Sequence, residues 1–122
     1  MFETQAPVVQ LPVYVIIHSW TVIRNGHEEH SNCEIIALRH DEATALECRE
    51  ETIQTICDRR KAEKYKITVQ RDSSGDAHIH AQPVTDWFRA YRMDYVTIAE
   101  YTMPVPESVL AELLHKEDPH AE

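Results

Sequence analysis

Residues 42–64 read EATALECREETIQTICDRRKAEK, and this stretch decides the fold. It holds neither Gly nor Pro and is built largely from helix formers. Leu46, Ile53 and Ile56 fall at steps of seven and three, and Cys57 lies four beyond Ile53, with Ala45 beside the stripe. Those are helical spacings. Asp41 stands where an N-cap is wanted. Acids gather early (Asp41, Glu42, Glu47, Glu50, Glu51) and bases late (Arg59, Arg60, Lys61, Lys64). That order suits the helix dipole.

Working outward, the flanks read as strands. Leu11-Pro12 closes a polar tail, and VYVIIHSWTVI (Val13–Ile23) is rich in β-branched and aromatic residues. Its two alternating sets are both largely apolar, which predicts a central strand. Asn25-Gly26 is a turn signal within the polar stretch 24–32, and CEIIAL (Cys33–Leu38) follows as a second strand. A hairpin with a long loop is predicted. Beyond the helix, YKITVQR (Tyr65–Arg71), a turn at 72–76 and AHIHAQ (Ala77–Gln82) predict a second hairpin, ended by Pro83. DYVTIAEYTM (Asp94–Met103) alternates as a strand that Pro104 should stop. Pro106 suits the first turn of a short helix carrying Val109, Leu110, Leu113 and Leu114. The order predicts an α+β fold: a largely antiparallel sheet, one long helix on a face and a short C-terminal helix. A single domain over 1–122 is expected, with flexible tails over about 1–11 and 116–122.

Bulk properties narrow the function. No apolar run reaches the length of a membrane span, and MFETQAPVVQLP lacks the basic and apolar regions of a signal peptide. Cys33, Cys48 and Cys57 form no CxxC pair, so free thiols in a reducing cytoplasm are expected. The net charge is −9. Residues 72–122 hold ten acids and three bases, net −7, and most of that surface would repel phosphates. General nucleic-acid binding is therefore disfavoured.

Three clusters could carry chemistry. In GHEEHSNC, His27, His30 and Cys33 are spaced by three, and His78 and His80 would share one face of a strand. These are the candidate metal ligands; against them, 26–33 reads as a loop and no second close pair completes a zinc pattern. Hydrolytic signatures are missing: there is no HExxH, no His-x-Ser or His-x-Thr, and no nucleophile elbow. The residues thus point away from catalysis. The third cluster is WFRAYR, where Trp87, Phe88, Arg89, Tyr91 and Arg92 combine stacking surfaces with anion-gripping forks. With Arg59, Arg60, Lys61, Lys64 and Lys66 it would form an anion site; the same aromatics could equally be core.

VYVIIHSW (13–20), CEIIALRHDEATALEC (33–48) and DYVTIAEYTMP (94–104) together resemble small bacterial and phage α+β proteins of hairpin–helix–strand order. Many of those have no assigned activity, and some act against host defence by binding an effector protein or sequestering a nucleotide signal. The resemblance implies such a role without assigning residues to it. The reading is a non-catalytic binding protein without cofactor, cytoplasmic, acting by stoichiometric capture of a protein partner. The alternatives are a sponge for a nucleotide-type anion and a metal-binding protein. Open sheet edges predict a homo-oligomer.

Overall fold

The computed structural model describes residues 7–84 and 90–109. The described residues form five strands, β1 (Val8–Arg24), β2 (His27–Arg39), β3 (Tyr65–Arg71), β4 (Ala77–Pro83) and β5 (Tyr91–Pro106), and a long helix, α1 (Glu42–Ala62). The strands form one sheet in the order β2-β1-β5-β4-β3, with every neighbouring pair antiparallel. Helical geometry resumes at residues 107–109, where the short C-terminal helix begins. The α+β architecture expected from the sequence is therefore present.

Helix α1 starts where its cap predicts. Asp41 is extended, and its carboxylate accepts from the Thr44 amide at 3.0 Å. The helix packs on one sheet face through Ala45, Ile53, Ile56 and Cys57, against Ile16, Val96, Ala77 and Ile79. Leu46, expected in this stripe, is exposed, while Ala45 is fully buried. The stripe runs instead through Ala45, Arg49, Ile53, Ile56, Cys57 and Arg60, so two of its buried members are arginines.

Each arginine finds an aspartate, Arg49 in the β3–β4 turn and Arg60 on β5. Arg49 Nη1 donates to Asp76 Oδ1 at 3.2 Å and to the Ser74 carbonyl at 3.0 Å, tying α1 to the β3–β4 turn. Asp76 also accepts from the Thr97 hydroxyl and the Ile98 amide, so it joins helix, turn and β5. Gly75 makes the approach possible. Its φ is +92°, and a Cβ there would lie 2.6 Å from Arg49 Nη2. Only glycine meets both conditions.

Two strands run past a proline at which the sequence reading ended them, each for a backbone reason. β1 begins at Val8, five residues before Val13, so Val8–Leu11 pair with β5 where a tail over 1–11 was expected. Pro12 is tolerated inside β1 because pairing with β2 starts only at Tyr14. A missing N–H costs no ladder bond where no neighbour stands. His40 Nδ1 instead donates to the Pro12 carbonyl at 2.8 Å. β5 likewise runs through Pro104 to Pro106, because β4 pairs only with its Arg92–Val96 part. The expected tail 116–122 and the apolar side chains Leu110, Leu113 and Leu114 lie outside the described residues.

The largest revision concerns 24–32. It is not a long loop. Asn25 (φ 54°) and Gly26 (φ 77°) alone make the turn, both at positive φ as a type I′ hairpin requires. HEEHSN continues as strand from His27, so the polar residues are strand residues with both sides wet.

Candidate functional site

β2 is an edge strand thirteen residues long, and all of its residues except Ala37 are exposed. Such an edge presents unpaired amides and carbonyls to solvent. Two register shifts divide it. Ile16 pairs with Ala37 and Ile17 with Ile35, leaving Ile36 as a bulge; Val22 pairs with His30 and Ile23 with Glu28, leaving Glu29 as a second. Between them, His30–Ile35 is regular, six residues, a common strand length.

The Ile36 bulge also swaps faces. A one-residue shift reverses which side chains point to the core. Ala37 consequently joins the helix side beside Ile16, and Leu38 turns to the outer side opposite Val15. Ile35, opposite Ile17, is 66% exposed, and Leu38 is 54% exposed. Across β1 the same outer rows continue to Thr97 and Ala99 of β5, with Tyr101, 59% exposed, beside Val13. Ile35 and Leu38 of the edge thus share the outer face with Tyr101, while the polar residues His27–Asn32 continue the same strand beyond them.

A second feature lies on the helix side. Asp94 is 2% exposed, His18 4% and Arg60 3%. His18 Nε2 donates to Asp94 Oδ1 at 2.8 Å, Arg60 Nη2 to the same oxygen at 2.9 Å and Arg60 Nε to Oδ2 at 3.0 Å. Arg60 also reaches Glu63 at 2.7 Å. Burial alone would raise the Asp94 pKa, but the hydrogen bonds from His18 and Arg60 outweigh it and hold the carboxyl below its ordinary value. Burial would lower the Arg60 pKa, yet Asp94 and Glu63 bring its net shift upward. Asp94 is acceptor-only when ionised. His18 Nε2 is therefore a donor, and Nδ1 lies 3.5 Å from Glu34 Oε1.

The residues singled out from the sequence are dispersed. Trp87, Phe88 and Arg89 lie outside the described residues. Tyr91 and Arg92 are neighbours in β5, so their side chains leave opposite faces of the sheet. Tyr91 is exposed on the outer side, opposite Ile23; Arg92 stands on the helix side, opposite Val22, its Nε buried without a hydrogen-bond partner among the described residues. Arg60, grouped from the sequence with these bases, is already engaged by Asp94 and Glu63. His30 pairs with Val22 and Cys33 with Ser19, which places them on opposite faces. His78 and His80 do share the outer face, where His78 stacks on Tyr95 at 4.2 Å between ring centroids. His18, the histidine of β1, lies on the opposite, helix-facing side of the sheet. Among the described residues, no group of three or more His, Cys, Asp or Glu is placed to hold a metal ion. Burial raises the Cys57 pKa despite nearby bases, as a core thiol requires.

Two signals escaped the sequence reading. Arg49 lies four residues before Ile53 and Arg60 four after Ile56, so both share the helical phase of the core stripe; the sequence reading passes over Arg49 and groups Arg60 with the anion-site bases. The inward direction of His18 follows from the phase it shares with Ile16. No family model matches the chain, and neither a curated protein nor a solved structure matches it.

Proposed function

We propose that the protein is a non-catalytic binding module that captures a partner protein by adding an extended segment of it to the β2 edge. The observation that carries this is the regular, exposed stretch His30–Ile35 on an unpaired edge, contiguous with the outward Ile35, Leu38 and Tyr101. In strand addition the main chain supplies affinity and alternate side-chain contacts supply specificity. The bulges at Glu29 and Ile36 limit the register to a six-residue window, which disfavours indiscriminate pairing. The net charge of −9, with Glu28, Glu29 and Glu34 on this strand, selects a partner segment carrying basic side chains beside apolar ones. A second copy would bring its own acids to the interface, so homo-oligomerisation through β2 is the weaker use of the same edge. On the resemblance to small phage proteins, the partner would be a host defence effector.

The test is affinity capture with wild type and with Ile35→Lys/Leu38→Lys as parallel baits, followed by reconstitution of the recovered protein from purified components. The expected result is a stoichiometric complex with wild type that the double variant loses. Because both positions are exposed, folding stability should change by no more than about 0.5 kcal/mol per site. A complex that the variant forms equally well would contradict the proposal.

A further inference from the structure

The outer face of the sheet carries a second feature that strand addition at β2 does not use. β4 and β5 pair there with His78 opposite Tyr95 and His80 opposite Met93. β1 extends the same two rows, with Ser19 opposite Tyr95 and Thr21 opposite Met93. A hollow of about 110 Å³ lies between the rows, walled by these six side chains. Its floor is the main chain of Trp20, Ile79 and Asp94, whose side chains leave by the helix side. The volume equals that of roughly four liquid waters, far below the size of a site for an organic ligand, and it suits a ligated metal ion.

The donors at this hollow are soft and uncharged. His78 and His80 alternate along one strand and stand roughly 7 Å apart. Met93 lies directly opposite His80, a relation that sets the Cβ atoms about 5 Å apart. Its three rotatable bonds let the thioether swing between the two rings. His78 stacks on Tyr95 at 4.2 Å between centroids, with the planes 20° apart. Stacking occupies the ring face, whereas the ring nitrogens lie at its edge. Among the described residues, neither imidazole is held in a hydrogen bond or ion pair. Asp94 adds no carboxylate here, because its side chain is turned to Arg60. Carboxylate and water ligands suit magnesium, calcium and manganese; a thioether selects copper(I), which imidazole also accepts.

We propose that His78, His80 and Met93 form a copper(I) site on the outer face of β4 and β5. The two imidazoles and the thioether are the ligands, and Tyr95 has a positioning role, fixing the ring of His78 from its face. The third ligand is a methionine, which sets this site apart from groups built on His, Cys, Asp and Glu alone, of which the described residues hold none. It lies on β4 and β5, whereas strand addition engages β2, so neither event blocks the other.

The test is anaerobic addition of Cu(I), supplied as its acetonitrile complex, to protein carrying ¹³C at the methionine methyls. Cys33→Ser is present throughout, because Cys33 is an exposed thiol that would compete. Met103, exposed and farther along β5, is the internal control. The Met93 methyl signal, assigned by its loss in Met93→Leu, should shift and saturate while that of Met103 stays in place. His80→Gln and, separately, His78→Phe should each raise the Cu(I) concentration at half-saturation by more than about tenfold, since losing even an outer-shell partner costs that much. His78 is exposed and phenylalanine keeps the stack on Tyr95, so this second variant retains the fold. Zn(II) should leave the Met93 signal unmoved, because zinc takes thiolate, imidazole and carboxylate ligands. The proposal is overturned if Met93 does not shift, if Met103 shifts in parallel, if Zn(II) gives the same shift, or if the histidine variants keep the wild-type titration.

Discussion

Replacing Asp94 by Asn keeps the shape of the side chain and removes the charge on which two buried cations or potential cations converge. Asp94 accepts three hydrogen bonds of 2.8, 2.9 and 3.0 Å, all from groups less than 5% exposed. An amide retains one acceptor oxygen. Its NH₂ must face either Arg60 Nε or His18 Nε2, donor against donor, and the Arg60 charge stays buried with only Glu63 beside it. Breaking a buried pair by removing one partner costs about 3–5 kcal/mol. Set against a total stability of about 6–18 kcal/mol for a chain of this size, that is a large share. With a urea m-value of about 2 kcal/mol/M, the midpoint should fall by roughly 1.5–2.5 M. The assay is urea unfolding followed by far-ultraviolet circular dichroism, with m compared between variants. Asp94→Leu combined with Arg60→Met removes both charges and should recover more than half of the loss, because a well-packed apolar replacement of a buried pair is often neutral. A loss below about 1 kcal/mol for Asp94→Asn, with m unchanged, would refute the view that this network holds the helix on the sheet.

Three further outcomes follow from the same contacts. Because the folded Asp94 pKa lies below its unfolded value of about 3.9, its contribution is complete above that pH and disappears as pH falls through the folded value. Urea midpoints of wild type and Asp94→Asn should therefore converge below about pH 4, and parallel profiles would contradict this. Gly75→Ala meets both a φ of +92° and a contact of 2.6 Å with Arg49, and should destabilise by about 2–3 kcal/mol in thermal unfolding. Lys64 follows the helix at φ +70°, where a side chain is strained, so Lys64→Gly should stabilise by about 0.5–1 kcal/mol.

Much of the fold was legible because the signals were local. Asp41, the charge gradient along α1, the Asn25-Gly26 turn and the alternation in DYVTIAEYTM act within a few residues, and the structure places each as read. The errors arose where a neighbour, not the residue, decides the outcome. Pro12 and Pro104 read as strand ends because a proline breaks a ladder, and whether a ladder exists there depends on how far β2 and β4 extend. HEEHSN reads as loop because strands usually have one dry face, and an edge strand projecting beyond the helix need not. The buried pairing of Arg49 and Arg60 was not legible because their partners, Asp76 and Asp94, are 27 and 34 residues away. The Ile36 bulge, which turns Leu38 outward, has no sequence signature at all. The candidate site was thus visible as residues and hidden as a surface: GHEEHSNC attracts notice for its histidines, and in the proposed function it serves as the edge itself.

The central claim is that the β2 edge receives the partner's chain, and amide hydrogen exchange on the reconstituted complex tests it most directly. The account predicts that binding protects amides within His30–Ile35 by at least about tenfold, while amides on the exposed face of α1 keep their rates. Protection on α1 with unchanged exchange across β2 would contradict it.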